Sequence, residues 1–157
     1  MPLAPEPPRI VLDTNVCLDL FVFGDAQCAR LQAALREGAV EAVTREDCRA
    51  EWLAVLGYPQ LRLDAARRAA AAALFDAQVR CLPSDPPGSP VAVRLPRCAD
   101  ADDQKFLELA LAAGARWLLS KDREVLRLAR RTAREGLFRI ATPQAWTELA
   151  WTAQAGG

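Results

Sequence analysis

The chain has 157 residues, 52% hydrophobic and 25% charged, so one compact domain with an ordinary core is expected. Its 20 basic and 20 acidic side chains give a net charge of zero, which excludes global attraction to a polyanion and leaves only a local basic face for nucleic-acid binding. The absence of histidine excludes Ser-His-Asp and Cys-His nucleophiles and removes the commonest zinc ligand, so carboxylates are the leading candidates for catalysis.

The first residues and the cysteines indicate the cellular compartment in which the protein is expected. Residues 1–8 (MPLAPEPP) are predicted to form a disordered tail, because they are rich in proline and lack a basic region followed by a long apolar run. The five cysteines include no C-x-x-C pair, so buried thiols are expected rather than disulfides or a zinc site. We therefore expect a cytoplasmic protein that does not enter a membrane.

The first predicted strand is the apolar run 10–12, which ends at Asp13 and is expected to be buried, central and parallel. Residues 14–23 and 26–36 have helical spacing, and Gly38 is placed to end the second helix. A helical hairpin is thus predicted after strand one.

A second strand is predicted over residues 40–43. Thr44, with an aspartate three residues later, is predicted to cap the helix that follows. Asp64 is predicted to start an alanine-rich helix that runs to about residue 79, and the proline-rich segment 83–96 then interrupts regular structure.

The second half repeats the alternation. Helices are predicted over residues 101–113 and 123–135, and strands over residues 116–120 and 137–141. Thr142-Pro143 is predicted to start a terminal helix.

Alternating strands and helices predict an α/β sandwich with a mostly parallel sheet, here as a single domain over residues 9–151 followed by a tail at 152–157. In such sheets, ligands bind beyond the carboxyl ends of the strands. Asp13 and Asp122 both follow predicted strands, so they are expected at that edge.

Acidic side chains are the residues most able to carry chemistry. Asp13 could hold a ligand or simply cap the next helix, because Asp is a preferred capping residue. Asp100, Asp102 and Asp103 place three acids before an apolar helix. The helix dipole accounts for one or two of them, but three raise one another's pKa unless a cation neutralises them.

Two more acids could join them. Asp122 is expected beside Asp13, and its alternative role is again a helix cap; Glu51 lies on a predicted helix beside Trp52, although most lone helical glutamates face solvent. Acids from separate segments that meet at one sheet edge suit Mg²⁺ or Mn²⁺. Such a site would serve phosphodiester hydrolysis.

Three motifs in order, VLDTNV (11–16), DADDQKFLELALAAGARWLLSKDREVL (100–126) and RIATPQAW (139–146), resemble the PIN-domain family. The likeness spans residues 9–149 and is closest to a bacterial branch described as toxin components of toxin-antitoxin pairs. It implies a three-layer α/β/α sandwich, dependence on Mg²⁺ or Mn²⁺, and endonuclease activity on single strands, commonly RNA. It also implies an antitoxin protein as a partner and a homodimer.

By its motifs, the resemblance makes Asp13 the first catalytic acid, Asp103 the third and Asp122 the fourth, and Glu51 fits the second. Asp100 falls on a further acidic position of this branch, so the implied metal set is Asp13, Asp100, Asp103 and Asp122.

Two polar residues are expected to support these acids, and a third, Lys121, has no assigned role. Asn15 is expected to orient Asp13, and Ser120 keeps a hydroxyl where the wider family often has threonine. Lys121 could pair with an acid or touch phosphate, and the alternative is a solvated lysine.

A basic stripe is predicted just after Asp122, where four arginines recur at helical i, i+3, i+4 and i+7 spacing. The stripe could track a nucleic-acid backbone, or it could be a solvated face. Its members are Arg127, Arg130, Arg131 and Arg134.

Two rival functions remain. One is a PIN-like binding module without turnover, which the presence of Asp13, Asp103 and Asp122 as ionisable acids disfavours. The other is a phosphohydrolase that forms an aspartyl-phosphate on Asp13.

Overall fold

The computed structural model describes residues 6–83 and 95–155, and within these ranges it contains a five-stranded sheet in which every pairing is parallel. The order across the sheet is β3-β2-β1-β4-β5. The strands are β1 (Arg9–Leu12), β2 (Glu41–Thr44), β3 (Val79–Cys81), β4 (Trp117–Leu119) and β5 (Arg139–Ala141). The first strand is therefore central and parallel, as predicted.

Helices connect the strands. They are α1 (Thr14–Leu18), α2 (Ala29–Glu37), α3 (Glu46–Leu56), α4 (Ala65–Gln78), α5 (Gln104–Ala112), α6 (Arg123–Leu126), α7 (Ala129–Arg134) and α8 (Pro143–Ala155). A π-helical segment, Asp19–Phe23, extends α1, and a short 3₁₀ turn, Ala101–Asp103, leads into α5.

Two apolar cores lie on opposite faces of the sheet, because successive side chains of a strand alternate between faces. Ile10 and Leu12 join a core that includes residues of α1, α2, α4 and α8, whereas Val11 joins a second core built on α5 and α6. Helices thus cover both faces. The predicted three-layer α/β/α sandwich with a central parallel sheet is confirmed.

Helix α3 is anchored through an aromatic cluster. The ring of Trp52 stacks on that of Phe75 with centroids 5.3 Å apart, and Phe21 packs edge-on against both. Trp52 is fully buried. Because Trp52 follows Glu51 in α3, this packing fixes the position of Glu51 at the rim of the sheet.

The prediction that Thr44 caps α3 was wrong. Thr44 is buried as the last residue of β2, where it pairs with Cys81 of β3 and its carbonyl accepts from Leu82. Strand β3 was not predicted, because its three residues follow an alanine-rich helix of high propensity and include a single large apolar residue, Val79. Thr44 is therefore part of the sheet, and Arg45 occupies the cap position of α3 without a capping hydrogen bond from its side chain.

The continuous helix predicted over residues 123–135 was also wrong. The amide of Leu128 donates to Val125 O, three residues back, and this turn separates α6 from α7. The segment contains neither glycine nor proline, so no residue in the sequence signals the break. Two predicted helix starts are confirmed: Asp64 caps α4 through Arg67 N at 2.8 Å, and Thr142 caps α8 through Ala145 N at 3.1 Å.

Some predicted segments lie outside the described residues: positions 1–5 of the first tail, positions 84–94 of the proline-rich segment and positions 156–157. Helix α8 extends to Ala155 and so includes residues 152–155 of the second predicted tail. The cysteines carry free thiols, of which Cys81 is exposed and the others are buried as expected. Within the described residues, no helix is both long and apolar enough to cross a membrane.

Candidate active site

The parallel pairing of β1 with β4 builds the centre of the site. Leu12 lies opposite Leu119 in the register, and the amide of Asp13 donates to Leu119 O at 2.9 Å. The residue after each strand, Asp13 and Ser120, therefore lies at the same carboxyl edge. The expectation that Asp13 and the segment around Asp122 share this edge agrees with the register.

Asp13 is 4% exposed, and donors engage both of its carboxylate oxygens. The amide of Thr14 donates to Oδ1 at 2.6 Å, which also makes Asp13 the cap of α1, and the hydroxyl of Ser120 donates to Oδ2 at 2.6 Å. Burial raises the pKa of Asp13, although these two bonds favour the ionised form. Two hydrogen bonds thus fix the orientation of the desolvated Asp13 carboxylate, and one of them comes directly from Ser120.

Three aspartates cluster beside it. Asp100, Asp103 and Asp122 each offer a carboxylate oxygen within 4.8 Å of the others. Two of them also act as caps through one oxygen: Asp100 accepts from Asp102 N at 3.0 Å, and Asp122 accepts from Glu124 N at 2.8 Å. Capping and clustering, which the sequence posed as alternatives, are therefore compatible in one side chain.

Asp103 is the most perturbed member of this three-aspartate cluster. It is 8% exposed, and among the described residues its Oδ2 is buried without a hydrogen-bond partner. Burial, followed by the charges of Asp13, Asp122 and Asp100 and by a hydrogen bond with the Asp122 carboxylate that requires a shared proton, raises the pKa of Asp103 to about 7. An orphaned buried carboxylate oxygen is costly, so this position calls for a proton or a cation.

The donor set fits a hard divalent cation. Carboxylate oxygens are the ligands that Mg²⁺ and Mn²⁺ prefer, and a cation would satisfy Asp103 Oδ2 while neutralising the crowded acids. Asp100, Asp103 and Asp122 are placed to hold it. Asp13 is close enough to raise the pKa of Asp103 by its charge.

Glu51 is not a member of the three-aspartate cluster, although it lies close enough to Asp13 for their charges to interact. The hydroxyl of Thr14 donates to its Oε2, and the ammonium of Lys105 donates to its Oε1 at 2.9 Å. Its charge contributes to the raised pKa of Asp13. The prediction that Glu51 is brought to this edge agrees with its contacts, which are to a hydroxyl and an ammonium.

The supporting residues link the segments after β1 and β4. Asn15 Oδ1 accepts from the amide of Lys121 at 3.2 Å, and Ser120 Oγ accepts from the amide of Asp122 at 3.0 Å. Of the alternatives considered for Lys121, the structure shows pairing with an acid: its ammonium donates to the buried Asp19 at 2.7 Å. Asn15 therefore supports the site through the backbone of Lys121.

Sequence reasoning placed the hydroxyl of Thr14 at the turn after Asp13 without giving it a role, and it missed Asp19 and Lys105 as members of this network. Thr14 and Asp19 lie in the turn and helix after Asp13, where a pattern of apolar residues carries no signal for them. Lys105 had a signal that was not used: it and Lys121 are the two lysines of a chain that otherwise uses arginine, and both contact acids at this edge.

The predicted arginine stripe divides between two structural elements. Arg127 ends α6, whereas Arg130, Arg131 and Arg134 lie on α7, and all four are exposed. Arg127 pairs with Glu124 at 3.1 Å and Arg131 with Glu135 at 3.3 Å. Within the described residues, Arg130 and Arg134 have no ion-pair partner, so they are the members best able to meet an external anion.

The geometry disfavours Asp13 as a covalent nucleophile. A phosphate acceptor needs a free, accessible oxygen, but both oxygens of Asp13 accept hydrogen bonds and the side chain is almost fully buried. The aspartyl-phosphate alternative therefore has no support in the contacts.

One comparison with known proteins identifies a family. A family model described as PIN domain matches residues 9–124, which covers the four strands β1 to β4 and the acids Asp13, Glu51, Asp100, Asp103 and Asp122. No curated protein matches the chain.

The raised pKa of Asp103 predicts how stability depends on pH without metal. The pKa of Asp103 rises from about 4 in the unfolded chain to about 7 in the folded protein. The folded state therefore binds this proton more tightly, and protonation of Asp103 stabilises the fold. Its stabilisation is present at low pH and is lost as the pH rises through 7. In EDTA, the melting temperature of wild type should fall between pH 5 and pH 8, and Asp103→Asn should reduce that fall.

Asp102→Asn is the matched control, because it removes the same charge from an exposed neighbour. Thermal melts across this pH range decide the matter. A constant difference in melting temperature between wild type and Asp103→Asn from pH 5 to pH 8 would contradict the assignment. Mn²⁺ added at pH 8 should stabilise wild type more than Asp103→Asn, because the cation favours the ionised carboxylate.

Proposed function

The chain belongs to the PIN domain family, and from this premise we propose that it is a divalent-metal-dependent endoribonuclease that cleaves single-stranded RNA. Proteins of this family are generally metal-dependent nucleases. The observation that carries the proposal is the three-aspartate cluster with the buried, unpartnered Oδ2 of Asp103. This cluster offers oxygen ligands for a hard cation at the carboxyl edge of the sheet, where α/β folds bind ligands.

Mg²⁺ or Mn²⁺ held by Asp100, Asp103 and Asp122 would supply activation of water and neutralisation of charge on the phosphodiester. The protein's own part is to hold these acids ready. Ser120 is the centre of that support, because its hydroxyl donates to Asp13 and accepts from the amide of Asp122. Asp13 adds negative charge beside Asp103 while Thr14 and Ser120 keep it from rotating.

The strand-binding surface proposed for RNA is the exposed arginine stripe. The helices α6 and α7 follow Asp122 in the chain, so a backbone that reaches the three-aspartate cluster could run along them and meet Arg127, Arg130, Arg131 and Arg134. With a net charge of zero, such a local surface is the way this chain could attract a polyanion.

A narrower form of the proposal is that the protein is the toxin of a toxin-antitoxin pair, acts as a homodimer and is inhibited by an antitoxin protein. Its support is the resemblance of the motifs VLDTNV and DADDQKFLELALAAGARWLLSKDREVL to that branch.

Cleavage of a fluorescent single-stranded RNA tests the main proposal. With Mn²⁺ or Mg²⁺, wild type should cut the RNA, and EDTA should abolish the cut. Asp13→Asn, Asp103→Asn and Asp122→Asn should each lower kcat/KM by about 100-fold or more, because each disturbs charge stabilisation worth several kcal/mol. The control Asp102→Asn should stay near wild type. Cleavage that persists in EDTA or in these three variants would refute the metal site, and equal cleavage of the matching DNA would refute RNA specificity.

Binding of RNA in EDTA tests the arginine stripe. Each phosphate contact contributes about 0.7 to the slope of log K against log salt for a single strand. The double variant Arg130→Ala/Arg134→Ala should therefore lower that slope by about 1.4. Arg67→Ala/Arg68→Ala, which makes the same charge change on α4, should leave it unaltered. An unaltered slope in the first variant would remove α7 from the binding surface.

Induced expression in a bacterial host tests the toxin role. Wild type should arrest growth and Asp122→Asn should not, because the arrest would depend on cleavage. Equal growth arrest by wild type and Asp122→Asn would count against a toxin role that depends on RNA cleavage.

A further inference from the structure

Lys105 makes a specific bridge between two elements of the site. It lies on the first turn of α5, and its ammonium donates to Glu51 Oε1 on α3 at 2.9 Å and to the carbonyl of Asp102. The Lys105 side chain is 19% exposed and that of Glu51 is 28% exposed, so the pair is partly shielded from water. Such a pair is held more firmly than an exposed ion pair.

Both oxygens of Glu51 already accept a hydrogen bond, so a cation would have to compete with these donors for them. Lys105 binds Oε1, and the hydroxyl of Thr14 donates to Oε2. The three-aspartate cluster does not include Glu51, although its charge acts on Asp13. The Glu51 carboxylate thus lies outside the three-aspartate cluster, and Thr14 and Lys105 occupy its oxygens with hydrogen bonds.

We infer that Lys105 is a positioning residue that binds Glu51 beside Asp13 and keeps that carboxylate out of the set of oxygens that hold the metal. The inference rests on the proposed function. Lys105 limits the negative charge presented to the cation, because ligand charge tunes the affinity of oxygen sites for divalent ions. An additional carboxylate would hold the cation more tightly and leave less of its charge for the substrate.

Lysine suits this position better than arginine. An ammonium is a compact point charge with rotatable donors, which can serve the Glu51 carboxylate and a backbone carbonyl within a narrow space. The chain uses arginine at its other basic positions apart from Lys121.

Calorimetric titration with Mn²⁺ tests the inference without relying on cleavage. Lys105→Met frees Glu51, so Mn²⁺ should bind at least about threefold more tightly than to wild type. The double variant Glu51→Gln/Lys105→Met removes both charges and should bind Mn²⁺ within about twofold of wild type. Arg49→Met breaks an exposed pair with Asp76, also from α3, and should leave the affinity unaltered.

RNA turnover adds a second readout. In Lys105→Met, kcat should fall about tenfold or more while KM stays within about twofold, because the variant changes the charge at the reacting centre and not the strand-binding surface.

The outcomes separate this inference from the proposed function. Mn²⁺ affinity in Lys105→Met that equals or falls below wild type overturns the inference, even if wild type cleaves RNA. A double variant that binds Mn²⁺ more than about fivefold more weakly than wild type also overturns it, since Glu51 would then be a ligand. If Lys105→Met does not fold, the double variant decides alone. Wild type that binds Mn²⁺ but cleaves no RNA defeats the proposed function and leaves the titration valid, whereas wild type that does not bind Mn²⁺ defeats both.

Discussion

The pairing of β1 with β4 is the constraint on which the site depends. It sets the carboxyl ends of two neighbouring parallel strands side by side, and the hydroxyl of Ser120 then reaches the carboxylate of Asp13 from the adjacent strand. The same serine accepts from the amide of Asp122, so one buried hydroxyl joins the acids that follow two strands. Without this register, the acids would be isolated helix caps at unrelated places.

Charge balance is the second determinant of the architecture. The fold gathers Asp13, Asp100, Asp103 and Asp122 at one edge, and the pKa of Asp103 rises because burial and its neighbours oppose ionisation. Within residues 6–83 and 95–155, the protein forms no ion pair that neutralises this set. Its nearby lysines, Lys105 and Lys121, are bound to other acids, so the three-aspartate cluster keeps a deficit of positive charge that a metal ion can fill.

Helix capping and the clustering of acids share the same side chains here. Asp13, Asp100 and Asp122 each accept from an amide at a helix start, which aligns the carboxylate before any ligand arrives. A strand followed by an acid and a helix is therefore an economical way to build such a site. The local conformation holds one oxygen, and tertiary packing determines what the other one meets.

The sequence by itself determined the α/β class and the central position of β1, because apolar runs and capping residues act locally. Its motifs also marked Asp13, Asp103 and Asp122 as candidates through their resemblance to the PIN-domain family. Only the tertiary structure decided strand β3, the break between α6 and α7, and the partners of Glu51. Strand β3 depends on an exposed edge of β2 that no local pattern describes, and the break arises from one short-range hydrogen bond between residues that favour helix. Lys105 meets Glu51 across 54 positions of sequence, and such a contact exists only after the sheet has brought α3 and α5 together.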